Sequence, residues 1–252
     1  MESVVEAFQA KASEKNVNIG QENFPFFSPT SNAQMLEKNT VELLQQQKQI
    51  NELIKNSLLS SAELLSGEDV TIFIMPLNPE NTFPIQKMEG ISGVALSENA
   101  ILLQIDPSFS ENALEYAVAH EYHHKVNIKN NDMTRVTLLD SVVFEGKADS
   151  FAKIIYPEKN APWIEPLSGD SQATDLHELQ KNAHSFDSTI YYEFFNGNAS
   201  KSLPLWSNYK IGYQLMQSYL ENHSGVSSEE WTKLNGIDIL EGSEFNYLLN
   251  DY

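Results

Sequence analysis

Three of the chain's six histidines fall within five positions, His120-Glu121-Tyr122-His123-His124. The spacing is H-E-x-x-H. On a helix, side chains at i and i+4 lie on one face a turn apart, so His120 and His124 aim two imidazoles at one point. Imidazole is a zinc ligand, and a glutamate beside the first histidine stands where it can take a proton from a water on the same ion. Glu121 is therefore the expected general base, accepting the proton and passing it to a leaving amine. His120 and His123, at i and i+3, form a second pairing. The His120/His124 choice is preferred because it leaves Glu121 correctly placed. Glu145 is the expected third ligand. Asp149 follows it at another i, i+4 step, where it can accept the outer ring N–H of a ligating histidine. Asp140 is a rival carboxylate without a downstream helical partner, and is assigned to outer support of the site. Two histidines, one glutamate and an open position suit zinc, one ion per chain, although manganese, cobalt or iron accept the same ligands.

These residues need helices to carry them and a scaffold to aim those helices. Residues 110–119 hold good helix formers without Gly or Pro, with Ser110 as N-cap, and lead directly into the motif. A second helix over 136–156 carries Glu145, with Gly146 either allowing a close backbone approach or simply tolerated. Before the motif, residues 69–76 are β-branched and aromatic and end in proline, which reads as a strand. Residues 93–96 and 101–105 form a hairpin around Ser97-Glu98-Asn99-Ala100. Upstream, apolar residues recur at three- and four-residue steps over 33–65 and predict one helix, after a short helix over 1–17 and a loop over 18–32. Residues 77–90 and 157–173 read as loops. Helices are expected over 174–196, 206–222 and 228–250. The fold class is α+β, mostly helical, with a small sheet preceding the active-site helix. The simplest division is a helical extension, residues 1–65, and a catalytic domain, residues 66–252.

The pattern resembles thermolysin-type metallopeptidases, the gluzincins, in which a glutamate on a second helix joins H-E-x-x-H about twenty residues on; here twenty residues lie between His124 and Glu145. It is more similar to the YjaZ-like family of predicted zinc-dependent proteases. That resemblance is carried by Ala119-His120-Glu121-Tyr122-His123-His124, Thr137-Leu138-Leu139-Asp140-Ser141, Glu145-Gly146 and Tyr209-Lys210-Ile211-Gly212-Tyr213. It covers roughly residues 65–225 and implies a zincin-like domain. It also implies an edge strand beside the active helix that binds an extended peptide by strand addition. An ordinary hairpin packed on the helix gives the same sequence pattern. A zincin-like site needs a donor for the tetrahedral oxyanion. The resemblance points to Tyr213 first and then Tyr209, one turn away. One departure stands out: an apolar residue is usual where Lys147 occurs, and Lys147 is expected to point away from the metal.

Composition narrows the partners. A formal charge of −19 repels nucleic acid and anionic membrane surfaces. The absence of cysteine excludes thiolate ligands and disulfides. No run of transmembrane length occurs, and the N-terminus has neither a basic region nor an apolar core. The reading is a cytoplasmic protein, with the proviso that a removed signal peptide leaves the same sequence. The leading function is a zinc-dependent peptidase acting on a peptide or protein. Two readings use the same residues: a metal-stabilised binding or regulatory protein without turnover, and a zinc hydrolase of a non-peptide amide. An intact Glu121 argues against the first of these, because a structural zinc site needs no base and closes its fourth position with protein.

Overall fold

The computed structural model describes residues 2–17, 19–131 and 133–249. Its architecture is mainly helical with one three-stranded sheet, as the periodicity predicts. The chain divides into two compact units, residues 1–129 and 130–252.

The first unit contains α1 (Glu2–Ser13), α2 (Ala33–Gln45), α3 (Gln47–Leu64), β1 (Thr71–Pro76), α4 (Thr82–Lys87), β2 (Ile91–Ser97), β3 (Ala100–Ile105) and α5 (Glu111–Asn130). The sheet order is β1-β3-β2. β3 pairs in parallel with β1 and antiparallel with β2, across a turn at Glu98 and Asn99. β3 is buried along its whole length, so both of its faces must be covered. Ile101, Leu103 and Ile105 point to one face and pack with Ile91, with Leu43, Ile50 and Ile54 of α2 and α3, and with Ala113, Leu114 and Val118 of α5. On the other face Ala100 packs with Ala12, Val17, Phe8 and Phe73. The N-terminal helices thus share their core with the sheet.

The second unit contains α6 (Leu138–Ile155), α7 (Gly169–Asn182), α8 (Ser188–Asn196), α9 (Ser207–Asn222), α10 (Ser228–Thr232) and α11 (Gly236–Gly242). Among the described residues no helix is long and apolar enough to cross a membrane.

Several expected helices are interrupted, and each break has a local cause. The helix over 33–65 divides at Gln46 (φ −91°, ψ 0°). Residues 45–49 carry no apolar side chain, so no packing holds the helix straight there. The helix over 174–196 breaks at 183–187, where the carbonyls of Ala183 and Ser185 accept the N–H groups of Leu139 (3.0 Å) and Leu138 (2.8 Å). Asp187 then caps α8 by accepting from the Thr189 N–H at 2.8 Å. The helix over 228–250 becomes α10, α11 and a 3₁₀ turn over Asn246–Leu249, because Ser227/Glu230 and Asn235/Asp238 each form a capping box that starts a new helix. Residue 250 and Met1, the outer ends of two expected helices, lie outside the described residues. The expected loops contain a 3₁₀ helix over Gln21–Phe27, α4, a 3₁₀ turn over Pro162–Ile164 and the first turns of α7.

Candidate metal centre

α5 is buried on every side through the motif: each residue from Val118 to Asn127 is buried, including six polar ones. Polar side chains are buried only where something satisfies them. Lys125 donates to the Glu68 carbonyl, and the Tyr122 hydroxyl donates to the Leu65 carbonyl at 2.8 Å. One turn pair upstream, the Ser57 hydroxyl donates to the Glu115 carbonyl at 2.7 Å. These bonds tie α5 to α3 and to the segment after it, which fixes the rotation of the motif. Leu114, Val118 and Glu121 follow one another at helical steps, so Glu121 continues the stripe whose apolar members face the sheet. It lies against Gly93 of β2. The His120 and His124 rings stand edge to face with centroids 4.5 Å apart.

Glu145 is held by α6, whose start is heavily constrained. Thr137 and Asp140 form a capping box, and the second oxygen of Asp140 accepts from the Gly236 N–H at 3.1 Å. Both oxygens of Asp140 are therefore engaged in starting helices. Next to Glu145, Gly146 meets Gly212 of α9 backbone to backbone. A Cβ on Gly146 would stand 2.1 Å from the Gly212 carbonyl, and one on Gly212 would stand 2.1 Å from the Val142 carbonyl oxygen. Glycine at both positions is what allows α6 and α9 to cross this closely. Lys147 is buried and donates to the carbonyls of Thr232 (3.1 Å) and Leu234 at the end of α10. Burial pushes its pKa down to about 8, against the pull of Asp140 and Asp238. Lys147 is a clamp on the end of α10.

Asp149, fully buried, accepts from the Trp163 indole N–H at 2.9 Å. Tyr213 lies close enough to Asp149 for the aspartate's charge to add to burial in raising the phenol pKa. Tyr209 packs against Phe195 with centroids 5.9 Å apart. A third tyrosine escaped the sequence reading. The phenol pKa of Tyr191 on α8 is raised by burial and then by the nearby charge of Glu145. Nothing in its spacing from the motif announces it, because a helix break and a chain reversal bring it there. His223 stacks on Tyr219 at 4.3 Å, a local helix-end contact.

One ligand atom from each of His120, His124 and Glu145 lies within 4.8 Å of the others, and all three residues are buried. Among the described residues no other histidine or acid joins a group of this kind; His123 does not, nor does Asp140. Ligand atoms on one tetrahedral zinc stand roughly 3.3 Å apart. The three ligand atoms, all within 4.8 Å of one another, are near that spacing. Two imidazoles and one carboxylate fit zinc with a position left for water or substrate.

A helical α+β protein with a buried His-His-Glu group has the makings of a zinc hydrolase. The chain belongs to the family described as predicted Zn-dependent protease (DUF2268), which matches residues 50–241, about three quarters of the sequence. No curated protein and no solved structure matches it.

Proposed function

We propose that the protein is a zinc-dependent peptidase of gluzincin type, with His120, His124 and Glu145 as the metal ligands and Glu121 as the general base. The observation that carries this reading is the convergence of three buried ligand atoms within 4.8 Å, with Glu121 on the same helix as two of them. When bound, zinc supplies Lewis acidity toward the scissile carbonyl and the attacking water. Glu121 takes the proton from that water at a carboxylate oxygen and returns it to the leaving amine. Asp149, steadied by the Trp163 indole, accepts a ligand histidine's outer N–H and holds the ring in register. Tyr213 is the proposed donor to the oxyanion, with Tyr209 one turn behind it. Asp140 supports the site from further out, by holding the start of the helix that bears Glu145.

β2 lies at an edge of the sheet, and Gly93 in that strand sits against Glu121. An extended peptide added to β2 would run past the base, which favours a peptide or protein substrate. The test is the Glu121→Gln variant assayed on a library of quenched fluorogenic peptides. Zinc content equal to wild type with turnover lowered by about 10²–10⁴-fold supports the mechanism. Turnover retained in that variant sinks it.

A further inference from the structure

We propose that Gly93 is a positioning residue for Glu121: the side chain missing from this point of β2 is the space that the Glu121 carboxylate occupies. The inference rests on the reading of Glu121 as the base, and it adds a residue that neither the H-E-x-x-H pattern nor the ligand group contains.

Gly93 pairs with Leu103 in the middle of β2, where a glycine weakens a strand and a β-branched residue would strengthen it. Backbone conformation does not require the glycine. The described glycines with positive φ are Gly90 and Gly197, and Gly93 is not among them. The requirement is spatial. Ile91, Gly93 and Ala95 lie opposite Ile105, Leu103 and Ile101, so all three share the sheet face that packs on α5. Along α5 that face meets Leu114, then Val118, then Glu121. Where the helix presents a carboxylate instead of an apolar chain, the strand presents a hydrogen instead of a side chain.

A Cβ on Gly93 would stand 2.8 Å from both Cγ and Oε1 of Glu121 and 3.1 Å from Cδ. Carbon atoms at rest stand about 3.5–4.0 Å apart, so the contact cannot persist. The atoms met are the outer part of one side chain, not backbone. The sheet and α5 keep their places, and the carboxylate is what moves. Because Glu121 is only 7 % exposed, it has little room to move without leaving its position for proton transfer. Misplacing a reacting group by about 1 Å can cost on the order of 10²-fold in rate.

The test is Gly93→Ala in the full chain, loaded with zinc or cobalt. The expected result on the same peptide library is a kcat lowered by about 10²-fold, with KM, metal stoichiometry and the cobalt absorption spectrum unchanged. A crystal structure of the variant should show the Glu121 carboxylate displaced. Unfolding by denaturant supplies a readout independent of turnover. Gly93→Ala should lower the midpoint in the wild-type background and leave it unchanged or raised beside Glu121→Ala, where the clash is gone. A variant that folds only beside Glu121→Ala has the same meaning. Equal loss of stability in both backgrounds, failure to fold in both, or an unmoved Glu121 overturns the proposal. If the wild type binds zinc and cuts no peptide, the peptidase reading fails while the midpoints and the crystal structure still decide the role of Gly93.

Discussion

At the scale of single residues the chemistry depends on groups that are buried and held from behind. Asp149 has no exposure, takes the Trp163 N–H at 2.9 Å and sits one helical turn after Glu145. Asp149→Asn keeps the volume and removes the charge that, in the proposed mechanism, steadies a ligand imidazole. The expected result is a zinc dissociation constant raised by about 10–100-fold, read by competition with a chromophoric chelator. An unchanged constant would assign Asp149 to packing alone. Tyr213→Phe removes only a hydroxyl. If that hydroxyl donates to the oxyanion, kcat falls by about 10²–10³-fold with metal content intact, and a rate equal to wild type passes the role to Tyr209 or Tyr191. The pairing of His120 with His124 was legible in the sequence because helical periodicity alone brings the two together. The neighbours Gly93 and Tyr191 were not, since strand pairing and helix packing bring them in, and local spacing encodes neither.

At the scale of elements the placement of Glu145 depends on two helix starts and one crossing. The Thr137/Asp140 box and the carbonyls of Ala183 and Ser185 satisfy the first N–H groups of α6. The crossing at Gly146 and Gly212 leaves no room for a methyl group, with carbonyl atoms 2.1 Å from either added Cβ. Gly146→Ala or Gly212→Ala should destabilise the protein by about 3 kcal/mol or more, since relief needs a backbone shift and not a rotamer change. Denaturant unfolding measures it, and a loss below about 1 kcal/mol would mean that the helices slide apart freely. α7 contributes a second test. Both carboxylate oxygens of Asp175 are buried without a hydrogen-bond partner, and the Ser207 hydroxyl beside it donates to the Pro204 carbonyl at 2.8 Å instead. Burial raises the Asp175 pKa from 3.8 to about 6, with the charge of Lys210 offsetting part of that rise. An acid whose pKa is higher in the folded state stabilises the fold while protonated. Its contribution is present below pH 3.8 and is lost as pH rises to about 6. Asp175→Asn should therefore flatten stability across that window and raise it at pH 7 by about 1–3 kcal/mol. A variant no more stable than wild type at pH 7 would contradict the buried, unpaired carboxylate. The breaks at 183–187, 227 and 235 teach a related lesson. Ser227/Glu230 and Asn235/Asp238 stand in the sequence as capping signatures, yet apolar periodicity running through them reads as one long helix. Asp187 caps by a local bond of the same kind, while the Ala183 and Ser185 carbonyls are drawn out by α6, a distant partner no local pattern reveals.

At the scale of the whole molecule the family match and the ligand group bear on the same claim from different directions. The match spans residues 50–241 and so begins inside α3, after α1 and α2, although α2 shares a core with the sheet that carries Gly93. A truncation that removes residues 1–49 would strip Leu43 from that core, so the metal site should be studied in the full chain. Metal content by mass spectrometry on the chelator-free chain offered zinc, wild type beside Glu145→Ala, decides whether His120, His124 and Glu145 hold a metal. About one zinc per chain is expected in the wild type, as a site with three protein ligands holds, and its loss in the variant. No zinc in the wild type, or zinc retained undiminished in Glu145→Ala, would contradict the His120, His124 and Glu145 site and the peptidase built on it.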